Sequence, residues 1–256
     1  MATKEAIKNK YTVRFATVEI RPGVHFPDWA SVPDDTAADA LAAILTAFSG
    51  GESQSIPGPE EYRVRQAILR LFARLGRAPE RTEITEQTGI EQEDLRVILD
   101  RLNSRDLVVL NDDEEVTGSY PITSNRTDHR VQVGEQELNA MCAIDALVVG
   151  AMYGRDVLIQ SVCRNCGAQV RVETADEGRA LKTVAPLDTC VWSGIRPSEG
   201  RAETTLCTVL AFFCSDDCLD TWRRANHPDS PGYRLTPDQG LGVGRAIFGQ
   251  TLLPAA

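Results

Sequence analysis

All seven cysteines of this 256-residue chain fall between Cys142 and Cys218. That confinement is the strongest constraint on what the chain can build. The number is odd, and the first eleven residues carry charges with no apolar leader behind them. Both features point to a reducing compartment, in which clustered thiols bind metal or do chemistry rather than pair as disulfides. Four of the seven form two close pairs. Cys163-Arg164-Asn165-Cys166-Gly167 is a C-x2-C turn closed by glycine, with strand-like sequence on either side (Val157 to Val162 and Ala168 to Glu173). Cys214-Ser215-Asp216-Asp217-Cys218 is a C-x3-C set at the start of a helix running to Asn226. Together they offer the four thiolates of a closed tetrahedral zinc site, a structural cofactor rather than a catalytic one. Cys190, in Asp188-Thr189-Cys190-Val191-Trp192, has no partner in sequence and reads as an ordinary core or loop cysteine.

Cys142 and Cys207 remain. The stretch Ala140 to Leu147 sets Cys142 and Asp145 three residues apart inside an apolar run. On a helix such residues share a face, so a thiol and a carboxyl would point the same way. On this stretch alone Cys142 reads first as a small buried hydrophobe, as free cysteines usually are, and Asp145 as an N-cap or a solvated edge residue. Cys207 lies seven residues before Cys214, in a run from Glu203 to Phe213 that reads as one strand. Alternation would put Cys207 and Val209 on one face of it.

Upstream, residues 1–58 form an extension with a possible strand from Tyr11 to Ile20, turns at Arg21-Pro22-Gly23 and Phe26-Pro27-Asp28, and a helical patch from Ala37 to Phe48. Ser49-Gly50-Gly51 stops that patch, and Ser53 to Pro59 reads as a linker. Residues 59–124 read as a helix from Glu61 to Leu75, a short helix from Ile84 to Thr88 and a third from Gln92 to Leu102. A hairpin follows, with strands Leu107 to Leu110 and Val116 to Ile122 around an acidic turn. That order is winged-helix-like. A nucleic-acid partner is nevertheless disfavoured. The net charge is −10, the third helix opens on Glu91-Gln92-Glu93-Asp94, and the hairpin tip is Asp112-Asp113-Glu114-Glu115. The two places that would face phosphates would repel them. No apolar run has bilayer-spanning length, so no membrane partner is expected and the location expected is cytoplasmic. Gly240, Gly242 and Gly244, in a last helix from Pro237 to Phe248, lack the strand-then-helix setting of a dinucleotide fingerprint and receive no phosphate role. The fold class expected is α+β, with residues 125–256 as a mixed α/β domain holding the chemistry.

From about Glu61 to Phe248 the sequence resembles the organomercurial lyase (alkylmercury lyase) family. The segment Cys142-Ala143-Ile144-Asp145 looks like the family's Cys-Ala-Leu-Asp-like segment, Cys207 stands where its second catalytic cysteine would, and Phe212-Phe213-Cys214-Ser215 follows at the matching spacing. Trp222, Ala225, His227, Gly232 and the Gly240 to Phe248 stretch look like its C-terminal end. The resemblance implies a winged-helix-like domain that does not read DNA, followed by a lyase-like catalytic domain. It also implies catalytic Cys142, Asp145 and Cys207, the two thiols holding the mercury of substrate and product. It implies an organomercurial substrate split into a hydrocarbon and Hg(II), and small thiols or a mercuric reductase as Hg(II) acceptor. There are departures: Met141 stands where a Trp commonly precedes the first cysteine, the two cysteine pairs are additional, and residues 1–58 precede the family's usual start. Two other readings remain open at this stage, a metal-responsive winged-helix regulator and a thiol-based metal-binding protein without turnover.

Overall fold

The glycines that punctuate the sequence end its helices. In the computed structural model, which describes residues 17–21, 23–48, 57–195, 201–226 and 229–253, strands β1 (Val18–Arg21) and β2 (Val24–Phe26) pair antiparallel, and helix α1 (Asp35–Phe48) follows. Helix α2 (Pro59–Leu75) begins with proline at its first position, where no N–H is needed, and Glu61 accepts a bond from Gly58 N at 2.6 Å. It stops at Gly76, whose φ of 70° lies in the left-handed region. Helix α3 (Arg81–Thr88) stops in the same way at Gly89, φ 69°. Helix α4 (Gln92–Ser104) buries Leu95, Ile98, Leu99 and Leu102, the stripe visible in the sequence. The start of the expected Tyr11 to Ile20 strand, the Ser49-Gly50-Gly51 stop, most of the Ser53 to Pro59 linker, and His227 lie outside the described residues.

The rest is mixed α/β. Strands β3 (Val108–Leu110), β4 (Val116–Ser119), β5 (Ile122–Thr123), β6 (Arg130–Val133), β7 (Gln136–Ala140), β8 (Leu158–Val162), β9 (Gln169–Ala175) and β10 (Ala180–Ala185) form one antiparallel sheet in the order β10-β9-β8-β6-β7-β5-β4-β3. A second sheet has the order β12-β11-β13, from β11 (Cys190–Gly194), β12 (Leu210–Phe213) and β13 (Gly232–Leu235). Helix α5 (Ala143–Tyr153) follows β7, α6 (Asp216–Asn226) follows β12, and α7 (Pro237–Phe248) follows β13. The large sheet runs through residue 124 without a break, because β5 pairs with β7 in the register Ile122↔Ala140.

Two expected strands are corrected. Val116 to Ile122 is not one strand: Tyr120-Pro121 interrupts it, and the halves fold back on each other as β4 and β5. Proline has no N–H to give a ladder, so the strand turns there. Glu203 to Phe213 is not one strand either. Ala202–Thr204 and Cys207–Val209 are single 3-10 turns, and only Leu210–Phe213 is extended. Thr205 Oγ1 donates to Arg201 O and Thr208 Oγ1 to Thr205 O, at 2.7 and 2.6 Å. These local bonds give the chain an alternative to a ladder that alternation alone does not register.

The residues ahead of α2 are built into the body of the protein. Trp29, Val32 and Leu41 share one hydrophobic core with Phe72, Leu99, Leu147, Phe212 and Leu241. Asp28 N donates to Ala246 O at 2.9 Å, and Gln239 Nε2 to Asp34 Oδ2 at 2.8 Å. The α7 glycines explain the fit. A strand does precede this helix, but the glycines lie inside it and serve close packing. A methyl on Gly244 would lie 2.8 Å from Val148 Cβ on α5, and one on Gly242 2.5 Å from Pro33 Cδ. No helix among the described residues is long and apolar enough to cross a membrane.

Helix α5 is held from the other side by the β9–β10 turn. Gly178 there has φ 79°, and a methyl on it would meet Gly150 C at 2.1 Å and Ala151 N at 2.3 Å, both backbone atoms of α5. Gly178→Ala is therefore expected to destabilise the protein by about 3 kcal/mol, from overpacking and an unfavourable φ together. A urea melt checks it, and a midpoint equal to that of the unmodified chain would contradict the packing described.

Candidate active site

Strand β7 ends at Ala140 and α5 begins at Ala143, which leaves Cys142 as the N-cap of α5 with extended backbone (φ −151°, ψ −179°). Its Sγ accepts a hydrogen bond from Asp145 N at 3.4 Å. A sulfur in the place of the usual Ser, Thr, Asp or Asn oxygen keeps the thiol at the helix N-terminus, where unpaired N–H groups favour negative charge. Asp145 stands in the first turn of the same helix, so the three-residue spacing does bring thiol and carboxyl to one place.

Cys207 arrives from the other sheet, on the 3-10 turn just before β12. The expected strand position is thus corrected to a turn. Cys207 Sγ lies 3.8 Å from Asp145 Oδ2. The ligand atoms of Cys142, Asp145 and Cys207 all lie within 4.8 Å of one another. All three residues are buried, at 1%, 4% and 7% exposure.

Burial sets the protonation states. It pushes the Asp145 carboxyl up to about 7, against the opposing pull of hydrogen bonds from the Cys142 and Cys207 thiols. Burial likewise drives the Cys142 thiol well above the ordinary thiol range, aided by its hydrogen bond to Cys207 and by the nearby Asp145 charge. At Cys207 the hydrogen bond with Cys142 lowers the thiol, but burial and the charges of Asp145, Asp106 and Glu203 outweigh it and the net shift is upward. At neutral pH the trio therefore rests as two thiols and a carboxyl close to half-protonated. Such a set can take up a soft metal through sulfur, release the thiol protons, and hold one of them on a carboxyl between the sulfurs.

The other four cysteines gather separately. Cys163 ends β8, and Gly167 (φ 73°) closes the turn by donating its N–H to Cys163 O at 2.9 Å. Arg164 N donates to Phe212 O at 3.0 Å, which ties this turn to β12. Cys214 leaves β12, and Cys218 sits in the first turn of α6, where its N–H donates to Ser215 Oγ at 3.3 Å. The sulfur separations are 3.6 Å for Cys166–Cys214, 3.3 Å for Cys214–Cys218 and 3.7 Å for Cys166–Cys218, and all four sulfurs lie within 4.8 Å of one another. A zinc ion with four thiolates at about 2.3 Å needs sulfur–sulfur edges of about 3.8 Å, so the donor set fits in kind and in size. Cys190 joins neither group. It is fully buried on β11 beside Cys163, Trp192 and Phe213, with its thiol pushed up to about 12, chiefly by burial.

Several residues around the trio carried no signal in the sequence. Tyr120 OH donates to Asp106 Oδ1 at 3.1 Å and accepts from Glu203 N at 2.8 Å, just ahead of Cys207. Asp106 has φ 54°, in the left-handed region, at the end of α4 where glycine is the usual occupant. His129 is also buried near β12, but its Nδ1 is engaged with Ser161 Oγ at 2.9 Å and its ring lies 5.8 Å from that of Phe212, so it belongs to the packing.

Comparison with known proteins agrees with this architecture. Residues 122–249 match the family model described as MerB, alkylmercury lyase. The chain is 34% identical over 149 residues to an alkylmercury lyase of Staphylococcus epidermidis, covering 58% of this chain and 65% of that protein, just under two thirds of it. It is 30% identical over 196 residues to an alkylmercury lyase of Streptomyces lividans, covering 76% of this chain and 85% of that one. The fold is similar to that in the crystal structure of the mercury-bound form of MerB2, with a TM-score of 0.67 and 22% identity over 83% of this chain and 98% of that one. On the family match and the similarity to the Streptomyces protein, this chain belongs to the alkylmercury lyase family.

Proposed function

We propose that the enzyme cleaves the carbon–mercury bond by protonolysis, with Cys142 and Cys207 as the mercury-binding thiols and Asp145 as the proton relay. The observation that carries this reading is the convergence of two buried thiols and one buried carboxyl from different sheets within 4.8 Å. An organomercurial cation first exchanges its labile ligand for one thiol, forming a sulfur–mercury bond and releasing that thiol's proton. The second thiol then adds to mercury and passes its proton to Asp145. A second sulfur raises electron density on the metal and weakens the carbon–mercury bond. That bond breaks with its electron pair on carbon, and Asp145 delivers the proton there. The products are a hydrocarbon and Hg(II) on two thiolates, with no change of oxidation state, and external thiols or a mercuric reductase then remove the Hg(II).

The pH dependence follows from Asp145. As a relay Asp145 starts as the carboxylate that takes the second thiol's proton; burial raises it to about 7, so that competent form predominates above pH 7 and is lost below it. Single-turnover cleavage is expected to fall about tenfold per pH unit below that point. Stability runs the other way: the folded protein keeps its proton where the unfolded carboxyl has lost it, so this contribution declines as pH rises from about 4 to 7 and is absent above that. Asp145→Asn is expected to bind organomercurial with undiminished stoichiometry while releasing hydrocarbon at least about 100-fold more slowly. Full turnover in that variant would sink the relay.

In the same reading Cys163, Cys166, Cys214 and Cys218 hold a structural zinc, which supplies folding free energy and no step of the reaction. Residues 59–124 act as a winged-helix-like scaffold rather than a DNA reader, in keeping with the acidic opening of α4. Residues 125–256 form the catalytic unit, and residues 1–58 an extension whose segment from Asp28 to Asp34 packs against α7. A cytoplasmic setting fits the need for reduced thiols.

A further inference from the structure

The two thiols reach the site from segments that differ in every local respect. Cys142 caps a helix, and Cys207 rides a 3-10 turn between sheets. Neither element fixes the separation between them. One short turn touches both. Pro121 O accepts from Met141 N at 3.1 Å, one residue before Cys142, and Ile122 pairs with Ala140 in the sheet. On the other side, Tyr120 OH accepts from Glu203 N at 2.8 Å, four residues before Cys207. The turn is anchored in turn by Arg65 of α2, buried at 5% exposure, whose Nη2 donates to Tyr120 O at 2.9 Å.

The Cys207 side of this bridge is reinforced. Tyr120 OH donates to Asp106 Oδ1, and Asp106 Oδ2 accepts from Ala202 N at 2.7 Å. Arg201 Nη2 donates to Asn103 Oδ1, and Asn125 Nδ2 to Glu203 Oε1 at 3.1 Å. Three consecutive residues of the Cys207 segment, Arg201 to Glu203, are thus held by side chains from residues 103–125. Asp106 reaches its two partners from a left-handed backbone, φ 54°. Glycine there would ease the backbone and remove the carboxylate, so the residue present is the one that makes the contacts.

We propose that Tyr120 is a positioning residue for the carbon–mercury chemistry, assisted by Asp106: their turn clamps the Cys207 segment against the Cys142 segment and sets the sulfur–sulfur separation that mercury must bridge. The inference rests on the two-thiol reading above. It gives the winged-helix-like unit a task in the reaction, that of holding the second thiol in register with the first. Tyr120 touches neither sulfur in this role. It acts through the backbone N–H of Glu203.

The test is Tyr120→Phe, which keeps the ring and removes the hydroxyl, with Asp106→Gly as a second variant whose backbone suits the left-handed position. Each is expected to lower kcat on an organomercurial by about 10- to 100-fold, with KM moved less than about threefold, the loss that a misplacement near 1 Å produces. Hg(II) itself is the probe for geometry. Against a competing small monothiol, Tyr120→Phe is expected to retain Hg(II) about tenfold less tightly, because the second sulfur no longer closes on it. In a Cys207→Ser background, where Hg(II) has Cys142 alone, Tyr120→Phe is expected to change retention not at all. A merely structural role would weaken retention equally in both backgrounds, and that result overturns the proposal. So does unmodified kcat in Tyr120→Phe or in Asp106→Gly. The two-thiol reading fails differently, by turnover that survives in Cys207→Ser itself.

Discussion

Cys142→Ser and Cys207→Ser are each expected to lower hydrocarbon release from an organomercurial by more than about 1000-fold, because a hydroxyl is a poor ligand for a soft metal and one remaining sulfur does not activate the carbon bond. The two variants should fail at the same overall step for the same reason, although they sit on different elements: Cys142 on the N-cap of α5 and Cys207 on a 3-10 turn before β12. Neither substitution opens a large cavity, since sulfur and oxygen differ little in size, so both proteins should fold. Each is expected to trap the substrate part-way. With one thiol left, the organomercurial remains attached through a single sulfur with its carbon bond intact. Intact-mass measurement under non-reducing conditions reads that adduct directly. Turnover comparable to the unmodified enzyme in either variant would contradict the assignment.

The second large effect concerns stability. Cys163→Ser is expected to abolish stoichiometric zinc binding and to lower the melting temperature by more than about 10 °C, since a four-thiolate structural zinc contributes on the order of 10 kcal/mol of apparent binding free energy to the folded state. The reason lies in what the cluster joins. Its cysteines come from the turn after β8, the end of β12 and the first turn of α6, which belong to two different sheets and a helix. The hydrophobic cluster beneath it is small, with Cys163, Cys190, Trp192, Ala211, Phe213 and Leu219. So little apolar surface would hold α6, of which only Leu219 is buried, weakly against β11 and β12 without a metal. Metal analysis of the purified protein should find about one zinc per chain. Absence of zinc together with an unchanged melting temperature in Cys163→Ser would end the structural-zinc reading.

Much of the site was legible because metal and thiol chemistry leave short-range spacing in a sequence. The C-x2-C and C-x3-C pairs announce a cluster, and the Cys142–Asp145 spacing announces a meeting of thiol and carboxyl, made here through an N-cap rather than a shared helix face. The helices of residues 59–104 were legible for a similar reason: period, first-turn proline and terminal glycines are local signals. What stayed hidden depended on contacts across long separations. Glu203 to Phe213 reads as a strand because its apolar run allows an alternation with Cys207 and Val209 on one face. The Thr205 and Thr208 hydroxyls, bonding back to carbonyls, decided for a turn instead. Tyr120 looked like one residue of a return strand. Its phenol meets Asp106 and Glu203 from positions 14 and 83 residues away, and no local pattern encodes that. The seating of residues 24–48 on α7 was invisible for the same reason, although three helical glycines at 240, 242 and 244 recorded that something packed closely there.

Two thiols and one carboxyl should together turn an organomercurial over. The most direct measurement is to incubate the zinc-replete enzyme with an organomercurial and excess small thiol in heavy water and to analyse the headspace. Asp145 and the thiols exchange their protons with solvent, so the expected result is many equivalents of hydrocarbon per enzyme, each carrying one deuterium at the carbon that held mercury. A protein that binds the organomercurial through sulfur and releases no hydrocarbon, or hydrocarbon without solvent-derived deuterium, would contradict it.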